Sequence, residues 1–95
     1  MTPLAQESAE VLAIEALSWL VGHEELLPIF LGSTGSDAND LRQRAKDPEF
    51  LASVLDFLLM DDAWIQEFCA SADYAPDFPL RARAALPGGA HVNWT

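Results

Sequence analysis

The segment that most constrains the fold is Asp47 to Asp62, DPEFLASVLDFLLMDD. A narrow polar edge of Glu49, Ser53 and Asp56 is all that interrupts its apolar surface, which consists of Phe50, Leu51, Val54, Leu55, Phe57, Leu58, Leu59 and Met60. A helix that is apolar around most of its circumference has to be surrounded by other helices. The segment therefore predicts a central helix over about residues 48–60, with Asp47 as N-cap and Pro48 at the first helical position.

Helical periodicity and end signals predict further short helices on both sides of this one. Gly22 is a natural stop for the first, and Ser36 is a suitable N-cap for the third. The expected bounds are Pro3 or Leu4 to Val21, Glu24 to Leu31 closed by Gly32, Asp37 to Ala45, Asp62 to about Ala72, and Pro76 or Asp77 to Leu86. The sequence thus predicts an all-α fold, a compact single-domain bundle of five to six short helices.

Length and composition agree with one helical domain. The chain has 95 residues, of which 51% are hydrophobic, so it can build one core but not two. β-Branched residues are sparse and no strand-like alternation is sustained. We expect residues 1–89 to form the helical domain and residues 90–95, AHVNWT, to form a C-terminal tail that either docks on the protein or stays free.

Cysteine usage and hydropathy bear on the compartment. A single cysteine, Cys69, excludes an internal disulfide and suits a reducing environment. It lies on an apolar stripe of helical spacing with Trp64, Ile65 and Phe68, so we expect a buried, inert thiol. The first residues lack the Lys or Arg that a secretion signal carries, and the apolar stretches are too short to cross a membrane. These features favour a cytoplasmic protein.

The charge is strongly unbalanced, with 15 acidic against 5 basic residues and a net charge of −10. Such a field disfavours nucleic acids and anionic membranes as partners. It favours a basic protein partner, or it simply keeps the protein soluble, and the sequence leaves both explanations open. We expect a monomer or a weak homodimer.

Catalytic, metal-binding and cofactor-binding groupings are not apparent. The two histidines, His23 and His91, have no nucleophile or second ligand at a suitable spacing, so we predict no catalytic residue, no metal site and no cofactor. Asp56 lies within the most apolar helix, with Ser53 as its neighbour on the polar edge. It is expected to face solvent along the polar edge, or else to pair with Arg42, Arg44 or Arg81 across a helix interface.

Four pieces of the sequence, in order, suggest a family: FLGSTG, DLRQRAKDPEFL, VLDFLLMDD and ALPGG. Together they resemble a family of small alphaproteobacterial proteins known as domain of unknown function 3572. The resemblance covers about residues 9–89. It implies a stand-alone helical domain in a bacterial cytoplasm, and it implies no activity, cofactor or site residue.

Two interpretations of function remain. The first is a protein-interaction module, an adaptor or regulatory subunit without catalysis, in which aromatic side chains serve as interface anchors. Its candidate partner-binding residues are Trp19, Trp64, Tyr74, Val92 and Trp94. The second is a small-molecule binder or minor enzyme that uses a cleft between helices. A weaker third idea, an acidic mimic of nucleic acid, would require a spaced stripe of carboxylates.

Overall fold

The computed structural model describes residues 4–87, and that part of the chain is helical and contains no strand. It forms one all-α core, as the sequence predicts. The elements are α1 (Gln6–Val21), α2 (Leu26–Thr34), a 3₁₀ turn (Ala38–Asp40), α3 (Leu41–Arg44), α4 (Pro48–Leu58), α5 (Asp62–Ala72) and α6 (Phe78–Ala85). None of these helices is long and apolar enough to cross a membrane. The predicted tail, residues 90–95, lies outside the described residues.

α4 begins as predicted. The Asp47 carboxylate accepts a hydrogen bond from the Glu49 amide at 3.0 Å, and Pro48 occupies the first turn. The helix packs against α1, α5 and α6, and most of its side chains are buried. α4 nevertheless ends at Leu58, earlier than residue 60, and Met60 is 73% exposed in the turn that follows. The expectation that Met60 joins the apolar surface of the helix is therefore wrong, because the chain leaves the helix before reaching it.

α1 shares the centre of the core with α4. It contacts α2, α4, α5 and α6, and it buries a continuous row of small and large aliphatic residues, namely Ala9, Leu12, Ala13, Ala16, Leu17 and Leu20. The alanines in this row let neighbouring backbones approach closely. The helix starts at Gln6, slightly later than predicted, and Gly22 follows its last residue. Two helices, rather than one, therefore organise the core.

α2 ends three residues later than predicted. Gly32 lies inside the helix, and the left-handed residue that closes it is Gly35, with φ 67°. The Ser36 amide donates to the Leu31 carbonyl at 3.0 Å, and Thr34 Oγ1 donates to the Phe30 carbonyl at 2.9 Å. These hydrogen bonds continue the helix beyond Gly32, and it ends at Gly35, where the backbone has the positive φ that glycine adopts readily. The later start, at Leu26, leaves Pro28 within the first turn, and Ile29 is exposed.

The segment 37–45 is not one helix. Asp37, instead of Ser36, provides the first cap: its carboxylate accepts from the Asn39 amide at 2.9 Å, and the Asp40 amide bonds the Asp37 carbonyl in the 3₁₀ pattern. α3 adds only one turn. Leu41 is the only side chain buried within residues 38–44. Tertiary packing therefore contributes too little stability to extend so short a helix.

The last two helices follow the predicted order. α5 has the predicted bounds, and the Asp61 carboxylate caps it by accepting from the Ala63 amide at 2.9 Å. α6 starts at Phe78 and carries Pro79 in its first turn. Asp56 is exposed on the polar edge of α4, as expected, but its partner is Arg83, whose Nε lies 2.6 Å from Asp56 Oδ1. The pairings suggested for it with Arg42, Arg44 or Arg81 are wrong, because α6 turns Arg83 toward α4.

Candidate functional site

The tryptophans and the tyrosine proposed as partner anchors pack against the protein's own rings. The Trp19 ring meets Phe68 edge-on at 6.1 Å, and Tyr74 lies 6.0 Å from the same Phe68. Trp64 stacks on Phe57 at 4.9 Å. All three anchors are partly buried, and Phe68 brings Trp19 and Tyr74 together. Val92 and Trp94 lie outside the described residues, so that part of the prediction stays open.

Tyr74 joins the loop before α6 to α1. Its hydroxyl donates a hydrogen bond to the Glu15 carboxylate. That hydrogen bond, together with partial burial and the charge of Glu15, raises the pKa of Tyr74 to about 12. The phenol therefore stays protonated, and its role here is to tie the two segments together.

Cys69 is buried, as predicted, with 2% of its surface exposed. Burial, and secondarily the charge of Asp77, raises the pKa of its thiol. Sγ lies 3.7 Å from the Ala75 carbonyl oxygen. Because the thiolate is the reactive form, this environment suppresses nucleophilic chemistry at Cys69.

His23 sits where α1 passes into α2 and acts as a cap. Its Nδ1 accepts from the Leu26 amide at 3.3 Å, which satisfies one of the free amides at the start of α2. Nε2 lies 3.9 Å from Glu67 Oε1, and the ring meets Trp19 edge-on at 5.1 Å. A cavity of about 520 Å³ beside it is lined mainly by polar residues. Within residues 4–87 no three His, Cys, Asp or Glu side chains are grouped as metal ligands.

A groove of about 700 Å³ lies between α1 and the segment containing the 3₁₀ turn and α3. Its α1 wall is formed by Ile14, Leu17, Ser18 and Val21, its opposite wall by Ala38, Asn39, Leu41, Arg42 and Ala45, and Leu27 closes one end. Arg42 is the only ionisable side chain in this lining. The groove therefore offers apolar contact with a single charge, and it lacks an acid–base pair.

The outward face of α1 borders this groove and carries three exposed aliphatic side chains. Val11, Ile14 and Val21 are 56%, 44% and 50% exposed, and Ser18 is exposed between them. On the other side of Val11 lies a smaller cavity of about 330 Å³ that Tyr74 also lines. We call the row Val11, Ile14, Ser18 and Val21 the α1 seam.

The α1 seam was not predicted from the sequence. The helical pattern indicates the buried side of α1, with Val21 on its flank, and predicts a polar opposite side that includes Glu15 and Ser18. The available signal was the spacing of Val11, Ile14 and Val21, which places a second apolar row on the same helix. The groove itself could not be found that way, because its other wall is formed by residues 38–45.

The comparisons with known proteins identify a family and no function. No curated protein and no solved structure matches the chain. The profile of the family described as "protein of unknown function (DUF3572)" matches residues 6–89, which confirms the resemblance noted in the sequence and covers most of the chain. The protein therefore belongs to the DUF3572 family.

Proposed function

We propose that the protein is a small protein-interaction module, an adaptor or regulatory subunit without chemistry of its own. The observation that carries the proposal is the α1 seam beside an apolar groove. Single exposed aliphatic side chains are ordinary on protein surfaces, whereas a row of them beside a concave and largely apolar surface favours a binding site. Met60 and Leu80 are also exposed but neither lines the groove, so they serve as controls.

The charge of the chain supports the same proposal. A net charge of −10 accelerates encounter with a basic partner and repels nucleic acid. The cytoplasm is the compartment we propose for this encounter, since Cys69 is a free thiol.

Site-specific crosslinking tests the proposal. A photo-reactive amino acid replaces Ser18 at the centre of the α1 seam, and in a matched control it replaces the exposed Ala84 on α6. We expect position 18, and not position 84, to crosslink one recurrent protein in native cells. The purified partner should then bind the wild-type protein and the Met60→Lys variant alike, and it should bind the Ile14→Lys variant at least about tenfold more weakly, as expected for a charge placed in an apolar contact.

Two results would refute the proposal. One is the same set of captured proteins from positions 18 and 84. The other is undiminished binding by Ile14→Lys in a protein whose melting temperature is unchanged. Thermal unfolding of each variant separates a lost contact from a lost fold.

The groove also supports a second candidate function, small-molecule binding. Its volume of about 700 Å³ lies within the usual range of ligand pockets, and Asn39 and Arg42 provide polar groups beside apolar walls. Native mass spectrometry of the protein purified from its own host tests this candidate. A recurrent bound compound that disappears in Arg42→Ala would favour it over the protein partner.

A further inference from the structure

We infer that the partner segment recognised by the α1 seam is an amphipathic helix with basic residues along the flanks of its apolar stripe. The inference rests on the proposed function and specifies the partner that the surface fits. It follows from the spacing of the seam, from the charges beside it and from its size.

The spacing of the α1 seam is that of a coiled-coil contact. Val11, Ile14, Ser18 and Val21 are separated by three, four and three residues, as are the inward positions of two heptads. The row extends over about 15 Å of helix. A second helix whose apolar residues have the same spacing can insert them between these side chains, and the small Ser18 allows close approach at the centre. A strand, whose side chains alternate with period two, has no such match.

The charges beside the seam favour a basic helix. α1 carries Glu7, Glu10 and Glu15 and no Lys or Arg. In the described part of the chain these carboxylates form no ion pair: Glu10 accepts a hydrogen bond from Gln6, and Glu15 accepts one from Tyr74. Glu10 and Glu15 occupy the positions that flank a heptad seam on its two sides, where interhelical ion pairs form in coiled coils. Lysine or arginine on the partner would meet them there.

The same charges disfavour a second copy of this chain. In a parallel pairing of two α1 helices Glu10 would face Glu15 of the other copy, and in an antiparallel pairing the two Glu15 side chains would face each other. The half-exposed Val11, Ile14 and Val21 offer on the order of 100–200 Å² of apolar area, estimated from the usual area per aliphatic side chain. A stable protein interface buries about 800 Å² on each partner, so the surface fits one helix bound reversibly.

Arg42 adds an orientation preference. It stands on the far wall of the groove, across from Ile14 and Val21. The flank of a docked helix that faces α3 is the one next to Glu10, because Leu17, one heptad after Glu10, also lines the groove. An acidic residue is favoured on that flank where it meets Arg42, and basic residues are favoured beside Glu10 and along the opposite flank, next to Glu15.

A set of synthetic peptides tests the inference. Three helical peptides of 14 residues are titrated into the full-length, ¹⁵N-labelled protein: one with leucines at the spacing of the seam and lysines on the flanks, one with glutamates in place of the lysines, and one lysine peptide with the leucines at alternating positions. We expect the first to bind at least about fivefold more tightly than either control, consistent with a few flank charges and a matched seam. Its affinity should fall as salt is raised.

Variants locate the peptide. Binding should shift amide signals of residues 11–21 and 38–45. It should weaken at least about fivefold in Ile14→Lys and in Glu15→Lys, and remain unchanged in Met60→Lys. Equal affinity for the lysine and glutamate peptides, equal affinity for the two leucine spacings, or no binding by any peptide would overturn the inference.

Two other occupants would also overturn it. If sedimentation shows a dimer that Ile14→Lys dissolves, the seam binds a second copy. If truncation after Gly89 shifts the same amide signals without any peptide, the seam is covered by the chain's own tail. A third result is a partner that crosslinks through position 18 and loses its binding in Ile14→Lys, while the segment that contacts the seam proves acidic or non-helical. That result would refute this inference and leave the proposed function unaffected.

Discussion

Two glycines three residues apart give a direct test of where α2 ends. Gly32 lies in the helix with ordinary backbone angles, and Gly35 closes it with φ 67°. A Cβ placed on either residue would meet no atom within 4 Å beyond the adjacent residues and the local helix backbone, so contacts with the rest of the protein do not distinguish Gly32→Ala from Gly35→Ala. Any difference in stability between these two variants therefore comes from the backbone conformation alone.

The expected effects have opposite signs. At Gly32 alanine replaces glycine inside an exposed helix, which stabilises the protein by about 0.5–1 kcal/mol. At Gly35 the left-handed conformation costs alanine about 1–2 kcal/mol. The reduced conformational freedom of the unfolded chain offsets about 0.4–1 kcal/mol of this cost, so the free energy of unfolding should fall by about 1 kcal/mol. In a domain of this size 1 kcal/mol moves the melting temperature by about 4–8 °C.

Urea unfolding followed by far-ultraviolet circular dichroism measures both changes. We expect the midpoint of Gly32→Ala to rise and that of Gly35→Ala to fall, with the slope of unfolding free energy against urea unchanged. The reasoning is refuted if Gly32→Ala is the destabilised variant and Gly35→Ala is neutral or more stable. That result would return the end of α2 to Gly32, where the sequence pattern had placed it.

The other predictions concern the core, the thiol, the tyrosine and the tail. Leu55 is fully buried, so Leu55→Ala should lower the unfolding free energy by about 2–5 kcal/mol through the cavity it leaves, and an unchanged urea midpoint would contradict the place of α4 in the core. Cys69 should react slowly with a thiol reagent in the native protein and quickly in urea; rapid native labelling would contradict its burial. Because the pKa of Tyr74 is raised, its contribution to stability is present below about pH 10 and is lost as the pH rises toward 12. Glu15→Gln should lower the pKa of Tyr74 measured by spectrophotometric titration, and an unchanged pKa would contradict the hydrogen bond. We expect the tail to dock on the protein, so truncation after Gly89 should lower the melting temperature. Unchanged stability with a lost partner would instead indicate a recognition segment, and no change in either would leave the tail without a role.

The sequence by itself determined those features that depend on neighbouring residues. Asp47 and Asp61 mark helix starts because a capping carboxylate reaches amides only two or three residues ahead. The apolar stripe around Cys69 fixed its burial, since residues that share one helix face share one environment. The all-α class followed in the same way from periodicity repeated along the chain.

Only the tertiary structure decided features that depend on distant residues. Asp56 pairs with Arg83, 27 residues away, and no helical pattern indicates which arginine α6 presents to α4. Periodicity indicates the broad buried side of α1, but it does not show whether the second, narrower apolar row is covered. Contacts with α2, α4, α5 and α6 cover the first side and leave the α1 seam exposed. The groove has its second wall on residues 38–45, which meet α1 only in the folded chain. The candidate site is thus a product of packing between helices, which the local sequence does not encode.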